Sequence, residues 1–109
     1  MRILDVPFTT TDWSKIQPTE HHGTSGVALW RTFEQGNIRV RVVQYSPGYA
    51  AAHWCRRGHV LFVLEGELVT ELEDGTITRL APGMSYQVAD SGLAHRSHTP
   101  TGATLFIVD

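Results

Sequence analysis

The chain has 109 residues, 41% hydrophobic and 18% charged, with a formal net charge of −2. That size and balance fit one globular domain with its own core, and a weakly acidic chain is not built for nucleic acid. A single cysteine rules out an internal disulfide, and there is no apolar run of about 18 residues to span a membrane.

A reducing compartment, the cytoplasm, is the expected location. The opening "MRILDVPF" is too short, and turns polar too soon, for a secretory signal. Residues 1–25 read as a less regular N-terminal arm. "TTTDWSKI" accommodates a turn of helix capped by Thr11 or Asp12, and "EHHGTSG" reads as a loop. From residue 26 to residue 109, short β-branched and aromatic runs alternate with turn signals. Val27 to Phe33 is the first run, and "EQGN" turns it back. Ile38 to Tyr45 alternates, with Ile38, Val40 and Val42 on one side and Arg39 and Arg41 on the other. Ser46-Pro47-Gly48 ends that run, and a short extended segment continues through Cys55. His59 to Leu64 is the most apolar run, followed by Leu68 to Leu72, a hairpin at Asp74-Gly75, and Thr76 to Leu80. Met84 to Val88, Leu93 to Ser97 and Ala103 to Val108 complete the series. Many short strands at even spacing, with almost no helical periodicity, predict an all-β sandwich or barrel, for which a jelly roll is one standard solution.

The stretch "HWCRRGHVLFVLEGEL" carries the chemistry. His53 and Cys55 are two apart, so on an extended segment both face one side and Trp54 the other. A turn at Arg56-Arg57-Gly58 then starts the strand on which His59, Leu61 and Val63 share a face. If that face lines a barrel, His59 sits at its mouth, and three soft or borderline ligands converge. His21, His22, His95 and His98 are the candidates for a fourth. His98 lies three residues after His95 and so faces the opposite side. Thiol and imidazole donors select a divalent transition metal, zinc or iron first, with nickel or copper also compatible. Arg56 and Arg57 beside Cys55 would favour its thiolate. The bland alternatives are a small buried cysteine and core histidines. The aromatics Trp30, Tyr45, Tyr49, Phe62 and Tyr86 read as core before pocket lining, and any that shares the face of the metal residues is able to contact a ligand.

The segments "PGYAAAHWCRRGHVLFVLEGEL" and "LAPGMSYQVADSGLAHRSH" resemble the two motifs of the cupins. The first cupin motif runs Gly, five residues, His-x-His, three or four residues, Glu, six residues, Gly. Here Gly48, four residues, His53-x-Cys55, three residues, His59, six residues and Gly66 follow that frame. Cys55 stands in place of the second His, and His59 in place of the Glu. Gly92-Leu93-Ala94-His95 resembles the end of the second motif without its Pro, which makes His95 the fourth ligand. The whole chain further resembles the small single-domain DHCW-motif cupins, with Ala52 where those have Asp. The resemblance implies a cupin-type double-stranded β-helix, a metal held by His53, Cys55, His59 and His95, and a homodimer. To our knowledge the activity of those proteins is unassigned. Three functions follow as expectations: a metal site that binds or transforms a small-molecule ligand inside the barrel; a non-catalytic binding or sensing cupin with a structural metal; and metal-free chemistry with Cys55 as nucleophile. The sequence marks no catalytic acid or base beside these residues.

Overall fold

The computed structural model describes residues 1–109. Nine strands and a single 3-10 turn make up its regular structure. In chain order the strands are β1 (Thr19–His22), β2 (Val27–Gln35), β3 (Ile38–Tyr45), β4 (His59–Gly66), β5 (Leu68–Leu72), β6 (Ile77–Leu80), β7 (Ser85–Val88), β8 (His95–His98) and β9 (Ala103–Val108). All pairings are antiparallel, in a six-stranded sheet ordered β1-β2-β3-β9-β4-β7 and a three-stranded sheet ordered β6-β5-β8. No helix is long and apolar enough to cross a membrane.

On β3, β4, β8 and β9 the expected runs became strands because period-two alternation lets each bury one face. On β4, Leu61 and Val63 are buried while Val60, Phe62 and Leu64 are exposed. Leu105 and Ile107 on β9, Val43 on β3, and Leu68 and Leu80 from the smaller sheet complete the core. Fully burying a side chain such as Leu105 is worth about 1.5–3 kcal/mol relative to exposure. The helical turn forms at Trp13–Lys15, where the Asp12 carboxylate accepts from the Ser14 amide at 3.1 Å.

Two local readings change, and the structure decides which side of β3 faces the core. The loop expected at "EHHGTSG" begins with strand β1, an edge strand of polar residues that is mostly exposed and so shows no apolar alternation. Phe62 points out of the core. The arginine side of β3 faces inward: Arg41 is only 5% exposed, on the same face as buried Val43. Register explains the inward arginines. Across β3, β9, β4 and β7 the inner residues form rows, Arg41–Ile107–Leu61–Tyr86 below a rim of Arg39–Asp109 and His59–Val88. The barrel mouth is thus polar and its floor apolar.

Candidate metal centre

His59 starts β4 and His95 starts β8, so each projects from the mouth end of one sheet toward the other. Cys55 joins them through a bridge to His95: the Cys55 amide donates to the His95 carbonyl at 2.7 Å, and the His95 amide donates back at 2.9 Å. One ligand atom from each of Cys55, His59 and His95 lies within 4.8 Å of the others. The Nε2 atoms of His59 and His95 are 3.2 Å apart. Two nitrogens bound at about 2.0–2.1 Å in a tetrahedral shell stand at a similar separation. The Tyr86 hydroxyl, 2.9 Å from His59 Nε2, faces the same point.

His53 stands outside this group. The segment that runs alongside β8 pairs Ala50 with His98 and Cys55 with His95, so five steps on one side oppose three on the other. The surplus is taken up by a bend at Ala52 and His53, which breaks the alternation and leaves His53 exposed. His53 still lines the cavity at the mouth. His21 stacks on Trp30 with ring centroids 3.8 Å apart, and His22 and His98 are exposed. Arg56 and Arg57 are both engaged by carboxylates: Arg56 pairs with Glu73 at 2.9 Å, and Arg57 reaches Asp109 at 3.6 Å.

The electrostatics favour neutral imidazoles. Burial pushes His59 down to about 4, the nearby His95 adds to the shift, and Asp109 opposes it. Burial also lowers His95. Neutral rings offer lone pairs, the form a metal needs. Both rings leave Nδ1 buried without a hydrogen bond. His59 Nδ1 points to Asp109 Oδ2 at 3.5 Å, slightly beyond a formed bond. Two Nε2 atoms facing each other cannot both carry protons. An ion between them would take both lone pairs and leave the Nδ1 protons free to donate outward. The donor set and the facing Nε2 atoms therefore fit a transition metal.

Three residues that the sequence did not mark complete the site. Asp109 has a fully buried carboxylate that accepts from Arg39 at 2.8 and 3.0 Å and from Arg41 at 3.1 Å. Burial alone would raise its pKa, but the bonds to Arg39 and the charges of Arg41, Arg39 and Arg57 hold it below the usual carboxylate value. Arg41 lies 4.3 Å over the ring of Trp30. Tyr86 packs against the core, as read, and also lines a cavity of about 180 Å³ together with Trp30, Arg41, Cys55, His59 and His95. Tyr86 and His95 also wall a cleft of about 380 Å³ whose other side is apolar, with Leu72, Leu80 and Leu93. Strand register could have suggested Tyr86 and Asp109, but only once the order of strands was known.

Two antiparallel sheets closed on a polar mouth define a jelly-roll barrel of the double-stranded β-helix type. Solved structures make the fold more specific. The chain is similar to an RmlC-like cupin from Shewanella frigidimarina, with 23% identity, 94% of this chain and 89% of that one covered, and a TM-score of 0.70. It is similar to a predicted oxalate decarboxylase from Thermotoga maritima, with 15% identity, 92% and 96% covered, and a TM-score of 0.75. It is also similar to the ectoine synthase of P. lautus, with 14% identity, 93% and 76% covered, and a TM-score of 0.77. No protein-family model matches the chain, and no curated protein does either. The protein is a small cupin by fold.

Proposed function

We propose that Cys55, His59 and His95 hold a divalent transition metal, zinc or iron first, and that this centre binds or transforms a small molecule at the barrel mouth. The observation that carries the reading is the convergence of a thiol and two neutral imidazoles with facing Nε2 atoms. A metal so held supplies Lewis acidity, or activates water or oxygen, at a position open to ligand. The chain's own residues do the rest. Asp109 orients His59 from behind, the Tyr86 hydroxyl is placed to hydrogen-bond a bound ligand, and the apolar cleft beyond Tyr86 and His95 accommodates the less polar part of that ligand. The cupin neighbours are consistent with this reading but carry no activity over to this chain.

A second reading, metal-free thiol chemistry, is favoured by the same proximity of Cys55 to two imidazoles. Metal content measured by mass spectrometry on untagged protein separates the two. The metal reading expects near-stoichiometric metal in the wild type and in His53→Ala, a large loss in Cys55→Ser and His95→Gln, and slow alkylation of Cys55 until a chelator is added. Wild-type protein that stays metal-free after reconstitution under reducing conditions, with Cys55 rapidly alkylated throughout, would leave the thiol reading.

A further inference from the structure

We infer that the ligand of this cavity is a small carboxylic acid, its carboxylate taken by Arg41 while a neighbouring oxygen faces the metal position. The inference rests on the metal reading above and names the ligand's class. Arg41 is 5% exposed and lines the same cavity as Cys55, His59 and His95. Its guanidinium has five donor hydrogens and one protein hydrogen bond, from Nη2 to Asp109, and its buried Nε has no partner at all. Trp30 holds the group by its ring face, a contact that occupies no donor. A buried guanidinium with idle donors is costly unless an acceptor completes it.

Charge counting points the same way. Asp109 is one negative charge contacted by Arg39, Arg41 and Arg57, and Arg39 already takes both of its oxygens. Arg96, which also lines the cavity, is answered by Glu71 at 3.3 Å. A divalent ion on one thiolate and two neutral imidazoles would add a further positive charge. Glu34, registered opposite Arg39, and solvent at half-exposed Arg57 answer the outer two arginines, which leaves buried Arg41 as the cation with the least compensation. The planar fork of arginine matches a carboxylate in two parallel hydrogen bonds. The cavity of about 180 Å³, the space of roughly six liquid waters, takes the carboxylate end and a few heavy atoms, and any longer, less polar part turns into the neighbouring cleft beyond Tyr86 and His95.

The test uses cobalt(II) loaded into the metal-free protein under reducing conditions, with acetate, lactate, acetamide and inorganic phosphate as probes. Acetate and lactate are expected to shift the visible cobalt bands saturably, and acetamide, of the same shape without the charge, is not. Arg41→Met should keep the cobalt spectrum and weaken acetate and lactate ten- to a hundredfold, with Arg41→Lys between the two. An acetamide response equal to that of acetate in the wild type overturns the inference whether or not the variants fold. So does an undiminished acetate response in a folded Arg41→Met. Tighter binding of phosphate than of either carboxylate overturns the assigned class. If cobalt does not bind, the metal reading fails on its own. The Arg41 site is then read by thermal shift on the metal-free protein, where stabilisation by acetate but not acetamide upholds it and equal shifts end it.

Discussion

Asp109 gives two oxygens to three arginines and one imidazole while fully shielded from water. Such a group stabilises only as a set, because removing its charge leaves its partners buried and unanswered. Asp109→Asn keeps the shape but not the charge. We expect it to cost about 3–5 kcal/mol of folding stability, read by urea denaturation, and to weaken metal binding by about ten- to a hundredfold through loss of the group behind His59. A variant as stable as the wild type would show that water, not Asp109, answers Arg39 and Arg41. At this scale the sequence was legible where chemistry follows spacing. Cys55 and His59 flank one turn, and His95 sits where a second motif ends. It was not legible where a bend intervenes, as at His53, or where a side chain's role depends on strands far away in the chain. Nothing local to "IRVRVV" distinguishes Arg41 as an inward residue from an ordinary solvent-facing one.

The ends of the strands matter as much as their faces. β4 ends at Gly66, whose φ is +81°, and a Cβ there would lie 2.0 Å from the carbonyl oxygen of Gly102, the residue before β9. β4 and β9 are neighbours whose register shifts between Val63 and Glu65, so backbone meets backbone here and neither can step aside. Gly75, in the β5–β6 hairpin, also has positive φ, at +93°, but open space around it. The two glycines separate conformational strain from steric clash. Gly75→Ala should cost about 1–2 kcal/mol, the penalty of left-handed backbone alone. Gly66→Ala should cost clearly more, about 3 kcal/mol or beyond, because β4 must also move off β9. Equal midpoints in chemical denaturation would show that the β4 end relaxes freely. Most strands were legible from alternation and turn residues, and β3, β5 and β9 begin and end where their patterns do. The edge strand β1 was not, since an exposed polar strand buries no face and so writes no pattern.

For the whole molecule, the polar mouth makes stability depend on pH in a definite direction. His59 titrates near 6.5 when unfolded and near 4 in the fold, because burial and His95 disfavour its cation. Between those values the unfolded chain binds a proton that the folded chain refuses, so acid favours unfolding. His95 is shifted the same way, and Asp109, lowered by its arginines, extends the trend further toward acid. The metal-free protein should therefore hold constant stability above about pH 6.5 with respect to these groups and lose it as pH falls toward 4. His59 alone would contribute on the order of 3 kcal/mol over that window. A metal that occupies both Nε2 atoms binds only the folded chain at full strength, so free metal at a hundredfold its dissociation constant adds about 2.7 kcal/mol at neutral pH. Protons compete for the same lone pairs, and this increment should shrink in step with the acid loss. Melting temperatures from pH 4 to 8, with and without zinc, check both statements. In His59→Gln the acid loss of the metal-free protein should flatten and the zinc increment largely vanish. A zinc increment that persists unchanged in His59→Gln would move the metal elsewhere, and an acid loss that persists unchanged would assign the titration to other groups.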